Sequence, residues 1–182
     1  MAKKSTQLTP AAIITRRRNA VLDRQGYVSL LSRVVLLALC VWIFLTQLFL
    51  ITQFSGNDMF PAVKDGDLII GYRLQREYAV DDIIVFTQGG KTRIGRIVAQ
   101  AGDTVTLSES GIININGTNI AGEIIYPTYP REGAEEPYTV PDGCVYVLGD
   151  YRTQCEDSRD FGGIRLEAVQ AKVITLLRRR GL

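Results

Sequence analysis

The chain of 182 residues has no histidine, three cysteines, two methionines and one tryptophan. Without an imidazole, a serine–histidine–carboxylate triad is excluded, and so is any histidine-ligated metal. Cys40 lies inside an apolar run, which leaves Cys144 and Cys155 as the other thiols. Two thiols are too few for a structural zinc site, and neither a metal nor any other cofactor is expected. Any hydrolytic chemistry must use Lys, Asp, Glu, Ser or Cys. Proline is sparse outside residues 123–141, where Pro127, Pro130, Pro137 and Pro141 mark a long irregular excursion. A strong charge of one sign is also missing, since the formal net charge is +2. That value averages a basic N-terminal region and an acidic remainder, and nucleic acid is not an expected partner. Arg16–Arg18 is too short for that role, and contact with anionic lipid is the simpler account.

One membrane-length run is present. Val34–Ile51 carries no formal charge, and with Leu30, Leu31 and Phe54 at its ends it can span a hydrocarbon core of roughly 30 Å. Arg33 can snorkel at one end. Cleaved leaders have shorter apolar cores, roughly 7–15 residues, and a small-x-small cleavage site. This run ends in Gln53-Phe54-Ser55-Gly56 instead, so residues 30–54 read as an uncleaved transmembrane helix. Lys3, Lys4, Arg16, Arg17, Arg18, Arg24 and Arg33 face a single acid, Asp23, before the run, while the remainder is net acidic. Positive flanks stay cytoplasmic. The expectation is a single-pass protein of the cell membrane. Residues 1–29 are expected as a basic, flexible cytoplasmic tail with helix near the anchor, and residues 55–182 as an extracytoplasmic domain.

In that domain short apolar stretches alternate with turn signals. Leu68–Tyr72, Asp82–Thr87, Arg93–Ala99, Thr104–Leu107, Ile112–Ile115, Asn119–Ile120, Cys144–Leu148 and Ala168–Leu177 read as strands. Asn116-Gly117 is a hairpin turn pair, which also accounts for the formal glycosylation triplet it opens. Arg178–Arg180 reads as a solvated basic end. No sustained helical period occurs after the anchor, so the fold class is all-β behind one N-terminal transmembrane helix.

A set of spaced motifs then stands out: Gly56-Asn57-Asp58-Met59-Phe60-Pro61 just past the anchor, Asp65-Gly66-Asp67, Asp82-Ile83-Ile84-Val85-Phe86, Gly95-Arg96 ahead of Gly102-Asp103, and Gly149-Asp150 through Cys155-Glu156-Asp157-Ser158-Arg159. In this order they resemble the type I signal peptidases, membrane-bound serine proteases that remove leader peptides. The resemblance covers nearly all of residues 28–182 and implies a β-rich, barrel-like extracytoplasmic domain. It also places Asp58 where that family has its nucleophilic serine, and Gly95 where it has the lysine general base. Cys155 stands at the serine that orients that lysine. A carboxylate is a poor attacker of a peptide carbonyl, and glycine supplies no amine. Ser55, Lys64 and Lys91 are the nearest substitutes in sequence, and both lysines read as solvent-facing. No catalytic residue is therefore expected.

Loss of the dyad at both positions resembles the signal-peptidase-like proteins that accompany pilins and sortases in Gram-positive bacteria such as streptococci. This implies a chaperone or accessory factor in sortase-mediated pilus polymerisation, with pilin precursors, the pilus sortase and membrane lipid as partners. Gly56, Asn57, Asp58, Met59, Phe60, Pro61, Arg96, Asp150, Cys155, Asp157, Ser158 and Arg159 would line the old groove or support its loop. Met59, Phe60 and Val63 either line that groove or bury against the core. Two alternatives stand beside this reading: a peptidase that cleaves pilin leaders by carboxylate chemistry, and a scaffold that binds preproteins. An Asp58–Asp157 pair sharing a proton is conceivable, but Asp157 is expected to pair with Arg159 or Arg96 instead. Cys144 and Cys155 flank the Gly149–Asp150 turn, and separate buried thiols are expected over a disulfide.

Overall fold

The computed structural model describes residues 10–120, 126–133 and 135–178, with side chains from residue 25 onward. The chain divides into two units near residue 46. The first is the helix α1, Pro10–Leu48. Proline opens it, where the missing N–H costs nothing and its fixed φ suits the first turn. Residues 10–29, expected as a flexible tail with helix near the anchor, are helical throughout; residues 1–9 lie outside the described residues. Within α1, Gln25–Leu48 is long and apolar enough to cross a membrane. It exposes large apolar side chains, including Leu37, Trp42 and Phe44, which suits a hydrocarbon surround and not water.

The second unit begins with a correction to the expected helix end. Helix geometry stops at Leu48, and Phe49–Gln53 forms a strand, β1. Phe49, Ile51 and Thr52 favour extended backbone, and the next strand, β2 (Leu68–Tyr72), offers them an antiparallel ladder. The other strands are β3 (Ile83–Gln88), β4 (Lys91–Gln100), β5 (Thr104–Leu107), β6 (Ile113–Ile115), β7 (Thr118–Ile120), β8 (Tyr138–Thr139), β9 (Cys144–Leu148), β10 (Ile164–Arg165) and β11 (Val169–Leu177). A seven-stranded sheet has the order β1-β2-β11-β3-β4-β9-β10, and a four-stranded sheet has the order β7-β6-β5-β8. Every pairing is antiparallel. The β-rich expectation holds. Asn116-Gly117 makes the β6–β7 hairpin, with both residues at positive φ.

Period-two alternation explains the layers. On β9, Cys144, Tyr146 and Leu148 enter one core with Val105, Leu107 and Ile113 of the small sheet. Val145 and Val147 enter a second core with Ile84, Phe86 and Ile97. Burial on both faces is why Cys144-Val-Tyr-Val-Leu148 is continuously apolar. A third core gathers Met59, Val63, Ile69, Val85 and Ile94. Arg178 is no merely solvated end: its guanidinium reaches Asp67 at 3.7 Å and donates to the Ala62 carbonyl at 3.1 Å. Residues 179–180 lie outside the described residues.

One helix of this unit escaped the sequence reading. Ser158–Phe161 forms α2, a single turn with a reciprocal cap. Asp157 accepts from Arg159 N, and Asp160 accepts from Asp157 N at 2.9 Å. The Asp157-x-x-Asp160 spacing ahead of Phe161-Gly162 is the signal that would have found it.

Candidate functional site

The loop after β1 carries the first group of expected site residues. Gly56 has a φ of 126° and donates its N–H to Asp65 Oδ1 at 2.9 Å. Phe60 N donates to the Asn57 carbonyl, and Val63 N to the Met59 carbonyl. Met59 and Val63 are fully buried in the third core. They anchor the loop and do not line a groove. Phe60 faces outward, 37% exposed, with its ring 6.2 Å from Tyr151, which in turn lies 4.7 Å from Tyr126. Pro61 is exposed.

The turn after β9 meets this loop. Tyr151 N donates to the Asp58 carbonyl at 2.9 Å. Gly149 makes the approach possible, because a Cβ there would lie 2.6 Å from that carbonyl oxygen and 2.5 Å from Cys155 Sγ. Asp150 takes a two-pronged bond from Arg96, at 2.9 and 2.8 Å. Ser158 Oγ accepts from Val147 N at 2.9 Å and so fixes α2 to β9.

Asp157 and Arg159 form a buried ion pair at 2.8 Å, with side chains 3% and 1% exposed. Both oxygens of Asp157 are occupied. Oδ1 accepts from Arg159 N and Nε, and Oδ2 from Arg159 Nη2, Gly149 N and the Cys155 thiol. The carboxyl–carboxyl pair between Asp58 and Asp157 therefore does not form, and Asp157 pairs with Arg159 instead. Burial and the neighbouring Asp157 push the Cys155 thiol up to about 12, so it is protonated and not a nucleophile at neutral pH. Cys40, Cys144 and Cys155 are all free thiols.

Asp58 is half-buried. Desolvation raises its pKa. Arg93 opposes that rise, while Glu156 and Asp157 add to it. The folded chain thus holds this proton more tightly than the unfolded chain does. Ionised Asp58 costs stability: the cost is full above the raised folded-state pKa, fades as pH falls through it, and is gone below about 3.9, the ordinary carboxylate value. Asp58→Asn should therefore raise the thermal midpoint at pH 7, with a gain that shrinks on acidification. A flat difference across pH 3–7 would contradict the assignment.

Gly95 lies in the middle of β4, opposite Ile84. A Cβ on it would meet Val147 Cγ1 at 2.5 Å and Leu148 O at 3.3 Å. Lys64 and Lys91 are both exposed; the Lys64 ammonium sits 5.8 Å from the Phe60 ring centre. Sequence reasoning missed Arg93, whose guanidinium pairs with Glu156 and lies 5.7 Å from the Phe161 ring centre. Its place two residues before Gly95, on the same strand face, was the available signal. It also missed Arg152, a buried cation bonded to Gly149 O and Thr128 Oγ1, each at 2.6 Å. Nothing in its local sequence marks that role.

The described residues thus hold one helix long and apolar enough to cross a membrane, two antiparallel sheets after it in the chain, and a loop that carries one half-buried acidic side chain. The model of the signal peptidase family, peptidase S26, matches residues 24–177. The chain is 27% identical over 154 residues to signal peptidase I of Bacillus caldolyticus, covering 75% of this chain and 84% of that one. It is 27% identical over 165 residues to signal peptidase I of Bacillus licheniformis, covering 82% and 84%. A crystal structure of a signal peptidase I from Enterococcus faecalis V583 aligns with a TM-score of 0.46 and 27% identity, over 55% of this chain and 98% of that chain. The chain belongs to the signal peptidase S26 family.

Proposed function

We propose that this protein is a signal peptidase relative without peptidase activity, acting as a chaperone or accessory factor in sortase-mediated pilus polymerisation. Its groove holds an extended segment of a pilin precursor or of the sortase without cutting it. One observation carries the reading. The two positions that the motifs assign to nucleophile and base hold Asp58 and Gly95, and Val147 packs against the latter where an amine-bearing stem would start. A carboxylate cannot replace an activated hydroxyl in attack on an amide. The support around the loop is nevertheless built, through the Arg96–Asp150 and Asp157–Arg159 pairs, which suits retained binding. The S26 membership favours a second reading, a peptidase of pilin leaders that works through Asp58.

The test is pilus polymerisation by sortase in cells that carry this protein, lack it, or carry Asp58→Arg. Loss of long polymers without the protein and with Asp58→Arg, at normal leader removal, is the expected result. Unchanged polymers in both would overturn the proposal.

A further inference from the structure

The membrane-length part of α1, Gln25–Leu48, is polar on one side only. Written as heptads, its a positions are Gly26, Arg33, Cys40 and Gln47, and its d positions are Ser29, Leu36 and Ile43. Gln25, Ser32 and Thr46 fall at g, beside that row. Every b, c, e and f position from Tyr27 to Leu48 is apolar or aromatic. Positions a and d share one face of a helix. The span therefore confines its polar side chains to a single seam and turns Leu, Val, Phe and Trp toward lipid everywhere else.

Most of those polar groups are satisfied locally, and one is not. Ser32 and Thr46 donate to the Ser29 and Ile43 carbonyls of the helix itself, each at 2.8 Å. The Gln47 side chain is exposed and has no hydrogen-bond partner among the described residues. An unpaired amide beside hydrocarbon is unfavourable, because lipid tails offer it neither donor nor acceptor. A facing helix removes that cost by hydrogen bonding across the interface. No part of the span is buried by the rest of the described chain, so the facing helix comes from another molecule.

We infer that this helix pairs in the membrane with a second copy of itself along the a/d seam, Gln47 against Gln47 and Cys40 against Cys40. The seam is complementary to itself. A glutamine amide carries donors and an acceptor, so two copies related by a two-fold axis satisfy each other. No acidic residue lies in the span, and its one cation, Arg33, precedes the uncharged run, where its stem reaches the headgroup region. Copies of one chain share one orientation in the membrane, so the pair is parallel. The seven-residue repeat then sets a left-handed crossing, and Gly26, Ser29 and Cys40 let the backbones approach. This pairing is independent of the groove and of what the groove holds.

Cys40 reports on the seam directly, because it is exposed while Cys144 and Cys155 are buried. Full-length protein is reconstituted in liposomes at low density and oxidised with copper–phenanthroline, and covalent dimer is read on a non-reducing gel. The unaltered protein should form the dimer. Cys40→Ser with Ala38→Cys, which moves the thiol to the far side of the helix, should give only a trace. Energy transfer between copies labelled at the N-terminus measures association without any thiol chemistry. By that measure Gln47→Leu should weaken pairing about three- to tenfold, the scale of an interhelical hydrogen bond in lipid. Equal dimer from the thiols at positions 38 and 40 would mean random collision and would overturn the inference. So would unchanged association of Gln47→Leu, or no energy transfer above that of an unrelated single-pass helix. Oxidation in intact cells that joins Cys40 to a different membrane protein, with no self-dimer in liposomes, would assign the seam to that protein and overturn pairing with a second copy.

Discussion

Arg159→Ala should lower the free energy of unfolding by about 3–5 kcal/mol, the usual cost of stranding one partner of a buried ion pair. Arg159 donates to both Asp157 oxygens, to the Arg152 carbonyl at 2.6 Å and to the Tyr129 carbonyl at 3.2 Å. It thereby ties the β9 turn, α2 and the loop at residues 126–131 into one body. Truncation leaves a carboxylate that is 3% exposed without its ion-pair partner, and removes a donor from the Arg152 and Tyr129 carbonyls. Arg159→Lys should recover only part of the loss, because one ammonium cannot reproduce a fork that reaches four oxygen acceptors. Urea titration of the full-length protein in detergent measures it. A loss below about 1 kcal/mol, the scale of an exposed pair, would show that the ion pair is not the buried clamp described above.

The paired replacement Asp58→Ser with Gly95→Lys should restore no leader cleavage, and should destabilise the fold by about 1–3 kcal/mol, the range for overpacking. The obstacle is geometric. The new Cβ at position 95 lies 2.5 Å from Val147 Cγ1. Valine is stiff at χ1, so relief requires a rotamer change or movement of β9, where Val147 N is held by Ser158. Adding Val147→Ala should recover most of the lost stability by opening space for the lysine stem. Thermal unfolding ranks the variants, and mass spectrometry of a leader-bearing substrate reads cleavage. Full activity in the double variant would mean that the site is an intact active site lacking only two side chains.

Much of the fold was legible because it is written in local signals. Short apolar stretches between turn signals marked β3, β4 and β9, Asn116-Gly117 marked a hairpin, and Val34–Ile51 marked the helix that could cross a membrane. The helix boundary was not legible, since Phe49–Gln53 is as apolar as the residues before it. Only the ladder to β2, a tertiary partner, turns it into strand. Capping chemistry for α2 was present in Asp157–Asp160 but concealed by a strand-rich context. The site divided the same way. Arg159 or Arg96 as the partner of Asp157 came from residue type and spacing, and Arg159 is the one that pairs, while the bond of Arg96 to Asp150 was not foreseen. The commitment of Arg93 to Glu156 depends on residues 63 positions apart. It has no signature in a single stretch of sequence.

The central claim is that the groove binds and does not cut. The most direct measurement incubates the full-length protein in liposomes with a leader-bearing pilin precursor, beside an authentic signal peptidase, and follows the leader by mass spectrometry. The account predicts an intact leader together with measurable binding of the precursor. Specific cleavage that disappears in Asp58→Ala would contradict it and assign carboxylate-based peptidase chemistry to this site.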